Sequence, residues 1–206
     1  MNAFETVLAA VGATWLWCKP WHAPATFGRV WCLFEALKTV DLGKLVAMVD
    51  VSGSMTGQPM EVAIGLGILV SELTAPAFAD RVLTFESEPE WVDLSGCADI
   101  AAKVKAVESA GWGGSTNFAL AFELILKTAE RAKLSPDEIP DLLVLSDMQF
   151  DQAGDLDYSG SGYGRRRTRW ETHYERLERR FAEVGRNVCG QPYAPPRIIF
   201  WNLRGN

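Results

Sequence analysis

Short apolar runs alternate along the chain with longer segments whose apolar residues recur at helical spacing. Three runs, at 44–50, 81–86 and 141–147, have the composition of strands buried on both faces of a parallel sheet. Further runs at 90–94 and 197–203 predict two more strands. We therefore expect a central, mostly parallel sheet.

Four helices are predicted between or after these strands, at 59–73, 97–110, 118–134 and 169–185. Pro59 suits the first turn of the first of these helices. Gly65 and Gly67 inside the same helix would allow it to approach the sheet closely. Because strands and helices alternate, the sequence predicts a Rossmann-like α/β fold with helices on both faces of the sheet.

Acidic and hydroxyl side chains are concentrated where two of these strands end. The segment VDVSGSM places Asp50, Ser52 and Ser54 directly after the first strand, and Asp147 closes the strand DLLVLSD. The glycine-rich loop GWGGSTN adds Thr116. In parallel sheets ligands bind beyond the carboxyl ends of the strands. We therefore expect these five oxygen donors to meet at one edge of the sheet.

The chemistry of these donors suits a hard divalent cation. Mg²⁺ prefers six oxygen ligands in octahedral geometry and usually keeps some water. Hydroxyl oxygens fill coordination positions without neutralising the charge, so an open position can accept a carboxylate from a partner. The alternative is a set of ordinary polar turns, in which Thr116 caps the helix that starts near Asn117 and Ser52 and Ser54 form local side-chain turns.

The order D-x-S-x-S, then Thr, then Asp resembles the metal-ion-dependent adhesion site (MIDAS) of von Willebrand factor A (vWA) domains. The resemblance implies a Rossmann-like vWA fold in which Ser52, Ser54 and Thr116 bind Mg²⁺ (or Mn²⁺) directly. It also implies that Asp50 and Asp147 hold the ion directly or through water. The segments VAIGLGILVSEL, WGGSTNF, LSDMQFD, WETHYERLERRF and IIFWNLRG are similar to the DUF2828/DUF7788 family, which is related to the vWA domain of Ro-like ribonucleoproteins.

This similarity divides the chain into residues 1–40 and a vWA-like domain at 41–206. Domains of the resembling type continue past FWNLR into another strand and a terminal helix, so the sheet is expected to lack its last edge strand and helix. RVWCLFE and the preceding KPWHAPATFGR resemble the end of a TIR-like domain, which implies a catalytic glutamate for NAD cleavage at Glu35. Alternatively, residues 1–40 form only a strand and a helix that pack beside the main domain.

Composition narrows the choice of partner and compartment. The net charge of −6 gives no reason to expect general affinity for nucleic acid, although the basic cluster Arg165–Arg169 leaves RNA binding open as an alternative. The four cysteines are widely spaced with no C-x-x-C pair, which favours buried free thiols over a zinc site or a disulfide framework. No signal peptide or membrane span is predicted, so we expect a cytoplasmic protein without membrane contact.

The sequence thus favours a metal-ion-dependent module that captures an acidic residue of a protein partner. It does not favour an enzyme, since no general acid–base pair or activated nucleophile is evident. Two alternatives remain: an NAD-cleaving TIR-like remnant that uses Glu35, and a ribonucleoprotein component that binds RNA through Arg165–Arg169. The oligomeric state is left open.

Overall fold

The computed structural model of the protein describes residues 15–16, 42–110, 116–147 and 169–203. The strands are β1 (Trp15–Leu16), β2 (Leu45–Val49), β3 (Arg81–Thr84), β4 (Trp91–Asp93), β5 (Asp141–Ser146) and β6 (Ile198–Asn202). The helices are α1 (Gln58–Leu73), α2 (Ile100–Glu108), α3 (Phe118–Ala132) and α4 (Arg169–Cys189). Short 3₁₀ turns lie at Leu42–Lys44, Gly53–Met55 and Pro136–Glu138.

The five strands and four helices predicted between residues 44 and 203 are all present, and the differences are confined to element ends. The strand expected at 81–86 stops at Thr84. The helix expected at 97–110 begins only at Ile100, because the Asp99 carboxylate accepts a hydrogen bond from the backbone N–H of Ala102 and so caps the helix. The helix expected to end near 185 continues to Cys189.

The strands form one six-stranded sheet in the order β1-β6-β5-β2-β3-β4. All neighbouring strands are parallel except β3 and β4, which confirms the expectation of a mostly parallel α/β sheet. The six residues at 85–90 are too few for a crossover, so β4 returns beside β3 as a hairpin. β2 lies between β5 and β3, and the carboxyl ends of these three strands share one edge of the sheet.

The core has two parts, one on each face of the sheet. Leu45, Ala47 and Val49 of β2 pack with buried residues of α1 and α2. Val46 and Met48 point to the other face and pack with α3 and α4. This alternation follows from the two-residue period of a strand. The expectation of helices on both faces is therefore confirmed.

Gly67 brings α1 close to the sheet, as the sequence predicted, whereas Gly65 does not. A Cβ atom at Gly67 would overlap Cγ2 of the buried Val49. At Gly65 a Cβ atom would meet nothing within 4 Å. The close packing of α1 over β2 therefore requires glycine at only one of these two positions.

The outer side of β6, expected to lack a strand, is paired with a segment from the amino-terminal part of the chain. β1 is parallel to β6, with Trp15 opposite Phe200 and Leu16 opposite Trp201. One alternative was that residues 1–40 form a strand and a helix that pack beside the main domain. The strand of that alternative is present. The remainder of this segment, including Glu35, lies outside the described residues.

The described part of helix α4 packs against α3. Phe181 packs edge-on against Phe122, with the ring centroids 6.5 Å apart. Beyond the helix, the hydroxyl of Tyr193 donates a hydrogen bond of 2.5 Å to the backbone carbonyl of Leu134. Burial, and secondarily the neighbouring Cys189 thiol, raises the pKa of Tyr193 to about 12, so this hydroxyl stays protonated at neutral pH. Within the described segments, no helix has the length and apolar character needed to cross a membrane.

Candidate metal site at the carboxyl edge of the sheet

The carboxylate of Asp50 is held in place from two sides. Its backbone N–H donates to the carbonyl of Leu145, which extends the pairing of β2 and β5 by one residue. One carboxylate oxygen, Oδ1, accepts the backbone N–H of Ser52 at 2.9 Å. The other oxygen, Oδ2, accepts the hydroxyl of Ser146 at 2.6 Å. Asp50 is buried, and no Lys or Arg side chain of the described residues forms an ion pair with it.

Ser52 and Ser54 place their hydroxyl oxygens side by side. The two Oγ atoms are 3.0 Å apart, and both side chains are half-buried. The turn that carries them is fixed by Met55, which is fully buried and whose N–H donates to the carbonyl of Ser52. Gly57 then leads into α1 with a φ of 89°, a backbone conformation that side-chain-bearing residues rarely adopt.

Asp147 lies at the same edge, directly after β5. Its neighbour in the chain, Ser146, is the residue whose hydroxyl contacts Asp50, so the ends of β2 and β5 are in contact through side chains. Asp147 is 5% exposed and Asp50 is 2% exposed. Two carboxylates are therefore buried at adjacent strand ends, an arrangement that is costly unless a positive charge or hydrogen bonds compensate for the desolvation.

Thr116 is hydrogen-bonded to the chain just after β3. Its hydroxyl lies 3.4 Å from the backbone carbonyl of Glu86, which also accepts the N–H of Asn117 at 3.3 Å. Asn117 itself caps α3, since its side chain accepts the N–H of Leu120. The alternative in which Thr116 caps this helix is therefore wrong. With its proton directed to Glu86, the Thr116 hydroxyl oxygen keeps lone pairs that can bind a cation.

The structure thus brings Asp50, Ser52 and Ser54 into one hydrogen-bonded cluster. It puts Asp147 directly after the neighbouring strand β5, and Thr116 beside Glu86, two residues after β3. The local-turn alternative also describes part of this cluster, because the Asp50 carboxylate closes a turn with the N–H of Ser52. Such a turn orients the carboxylate without using all of its lone pairs.

Sequence reasoning missed two positions that organise this edge, Ser146 and Glu86. Ser146 could have been found from the register, because β2 and β5 pair with Val49 opposite Leu145, which puts Asp50 opposite Ser146. Glu86 contributes its backbone carbonyl, and no side-chain pattern signals such a role.

The described residues contain no group of three or more His, Cys, Asp or Glu side chains that could hold a metal ion. The set at this edge is of a different kind, with two carboxylates and hydroxyl oxygens, and this donor chemistry fits Mg²⁺ or Mn²⁺. Cys97 and Cys189 are free thiols, but they are not buried as the sequence predicted, since Cys97 is half-buried and Cys189 is exposed. The side chains of the cluster Arg165–Arg169 lie outside the described residues.

Comparison with known proteins gives a family and one relative. Residues 44–206 match the family described as "Domain of unknown function (DUF7788)". An uncharacterized protein (L728) of Acanthamoeba polyphaga mimivirus is 44% identical over 161 residues, which is 78% of this chain. The aligned part is 25% of the viral protein, so the chain spans about a quarter of that relative's length.

Proposed function

Since the chain belongs to the DUF7788 family, whose name assigns no activity, we propose a function from the geometry of its own residues. The protein is a metal-ion-dependent protein-binding module of the vWA type. Its site lies at the carboxyl edge of the sheet and is formed by Asp50, Ser52, Ser54, Thr116 and Asp147. The ligand is an acidic side chain of a protein partner.

The observation that carries this proposal is the separation of the two serine hydroxyls. Adjacent ligands of an octahedral Mg²⁺ ion lie about 3 Å apart, because each Mg–O distance is about 2.1 Å. The Oγ atoms of Ser52 and Ser54 are 3.0 Å apart and lie on the loop that Asp50 closes. The two hydroxyls therefore suit two neighbouring positions of one ion without rearrangement of the loop.

Each residue of the set has a distinct role in the proposal. Ser52, Ser54 and Thr116 supply neutral oxygens, while Asp50 and Asp147 supply negative charge that balances the dication. When bound, the ion supplies a positive centre with an open position for an anionic oxygen. Because the hydroxyl ligands are neutral, the charge of the ion remains available to a partner's carboxylate. The proposed activity is capture of that acid, with no bond made or broken.

Metal binding is tested by thermal unfolding of the purified chain at constant ionic strength. Mg²⁺ at about one hundred times its dissociation constant stabilises the folded state by about 2.7 kcal/mol. For a domain of this size we expect the melting temperature to rise by about 5–10 °C. Excess EDTA returns it to the metal-free value.

NaCl added to the same ionic strength serves as the control and produces no comparable rise. If neither Mg²⁺ nor Mn²⁺ at tens of millimolar changes the melting temperature, the proposal fails, because an ion that binds only the folded state must stabilise it.

A further inference from the structure

A groove open to solvent lies between α3 and the hairpin of β3 and β4. Its volume is about 550 Å³. Its lining comes from the hairpin turn, the start of β4 and one side of α3, and includes Glu88, Glu90, Trp91, Leu120, Glu123 and Lys127. None of these residues belongs to the candidate metal site.

The rim of the groove is acidic. Its lining contains three glutamates, Glu88, Glu90 and Glu123, which together are called the acidic rim here, and one cation, Lys127. The lining therefore carries more negative than positive charge. Arg180 approaches Glu123 from α4, but the nitrogen–oxygen distance is 3.9 Å and both side chains are partly exposed. Water and salt screen such a pair strongly, so Glu123 stays available to a second cation.

The groove lining also includes apolar side chains. Leu120 is 43% exposed, although it lies in the first turn of a helix whose other apolar residues are largely covered. Trp91 is half-buried, with the Phe78 ring centroid 6.3 Å away and the Arg81 guanidinium over its ring, 5.5 Å from the ring centre. A rigid aromatic ring beside an exposed leucine is a typical anchor for a partner's apolar side chain.

We propose that this groove binds a segment of a partner protein that presents lysine or arginine beside one or two apolar side chains. The apolar side chains bury Trp91 and Leu120, and the cations pair with the three glutamates of the rim. The acidic rim repels the phosphates of nucleic acid and of anionic lipid headgroups. A second copy of this chain fits poorly, because a two-fold contact through the groove would bring two acidic rims together.

This inference goes beyond the metal site and does not depend on it. The groove and that site have no lining side chain in common. They adjoin only at the start of α3 and at the turn 85–90, where the Glu86 carbonyl accepts Thr116 and Asn117. We therefore expect the groove to bind its segment in the presence of EDTA, when metal-dependent capture of an acid is abolished. Failure of one proposal leaves the other intact.

The probe is a random peptide library displayed on phage, selected in EDTA against the immobilised chain. Enriched peptides are expected to carry a net positive charge together with an aromatic or aliphatic residue. The most enriched sequence is then synthesised with a fluorescent label, and its affinity is measured by anisotropy. We expect that affinity to fall steeply as NaCl is added, since exposed charge pairs are screened.

Two sets of variants assign the binding to the groove. The double substitution Glu88→Lys and Glu90→Lys is expected to lower the affinity for the peptide by about tenfold or more. Leu120→Ser is expected to lower that affinity by about fivefold or more. The matched controls are Glu108→Lys with Glu130→Lys, and Leu73→Ser, which change exposed residues outside the groove and leave the affinity unchanged.

Three results would overturn the proposal. The first is enrichment of acidic or uncharged peptides, or of none above the level seen with the Leu120→Ser protein. The second is an affinity that the groove and control variants change equally. The third is self-association in analytical ultracentrifugation that Leu120→Ser abolishes, which would assign the groove to a second copy of this chain.

Discussion

Replacing Asp50 with asparagine abolishes the rise in melting temperature that Mg²⁺ produces, while the metal-free protein remains at least as stable as the native one. Asparagine keeps an oxygen for the N–H of Ser52 and can donate its amide to the hydroxyl of Ser146, so both hydrogen bonds of Asp50 are retained. The substitution removes one of two buried negative charges, which lowers the desolvation cost in the absence of metal. The same loss leaves the dication without half of its balancing charge.

The measurement is the melting temperature with EDTA and with saturating Mg²⁺. We expect a difference of less than about 1 °C for Asp50→Asn, compared with about 5–10 °C for the native chain. Asp93→Asn is a matched control, because Asp93 also accepts the N–H of the serine two residues later, Ser95, at 2.9 Å. Asp93 is exposed and lies opposite Arg81 in the pairing of β3 with β4, at the edge of the sheet away from the candidate site. Its variant is therefore expected to keep the full Mg²⁺ response. An equal loss of response in both variants contradicts a specific role for Asp50.

Replacing Ser146 with alanine lowers both the stability of the fold and its affinity for Mg²⁺. Ser146 is 1% exposed, and its hydroxyl donates the 2.6 Å hydrogen bond that orients the Asp50 carboxylate. Loss of a buried donor to a charged acceptor costs about 2 kcal/mol. Residues that orient a metal ligand typically change metal affinity by about 10- to 100-fold when they are removed.

Ser71 gives a control of the same residue type and burial. Ser71 is also 1% exposed, and its hydroxyl donates one hydrogen bond, but the acceptor is the helix carbonyl of Ile68. Ser71→Ala is expected to cost about 1 kcal/mol and to leave Mg²⁺ affinity unchanged. Isothermal titration calorimetry and urea unfolding measure the two quantities separately. Unchanged Mg²⁺ affinity in Ser146→Ala would restrict Ser146 to a structural role.

The hydrophobic pattern was sufficient to predict the elements of the fold because the central strands β2, β3 and β5 are buried on both faces. β2 and β5 are continuous apolar runs that fit no surface position, and the helices between strands follow from the spacing. Element ends were less predictable. They depend on single capping contacts such as that of Asp99 with the N–H of Ala102, which the apolar period does not contain.

The pairing of β1 with β6 could not be predicted from the same pattern. A two-residue strand has too few residues to show a period, and its partner lies more than 180 residues away in the chain. The antiparallel direction of β4 is easier to predict from the sequence. The short connection after β3 excludes a crossover and leaves the antiparallel hairpin as the available geometry.

At the candidate site, the candidate ligand residues could be predicted from the sequence, but the residues that position them by hydrogen bonds could not. Asp50 and Asp147 were found because acids directly after buried strands have few structural reasons to be there. Ser146 reads as a strand residue in the sequence, and only the register of β5 against β2 brings it to Asp50. The carbonyl of Glu86 that receives Thr116 and Asn117 carries no residue-specific signal at all.

The groove beside α3 was not predicted for a related reason. Its acidic rim combines Glu88 and Glu90 of the hairpin with Glu123 of α3. Glu123 is more than thirty residues from the other two in the chain. In the sequence each of these acids looks like an ordinary solvated residue. Their common position depends on the hairpin returning beside β3, so that Trp91 faces α3.

The central claim is that one divalent cation binds between the ends of β2 and β5, and it is tested most directly by locating the ion. Crystals grown with Mn²⁺ and measured near the manganese absorption edge give its position from anomalous scattering. The account predicts a peak in coordinating contact with the hydroxyls of Ser52 and Ser54, with Thr116, Asp50 and Asp147 in direct or water-mediated contact. A fully occupied peak elsewhere on the protein, with these five side chains bonded only to one another and to water, contradicts it.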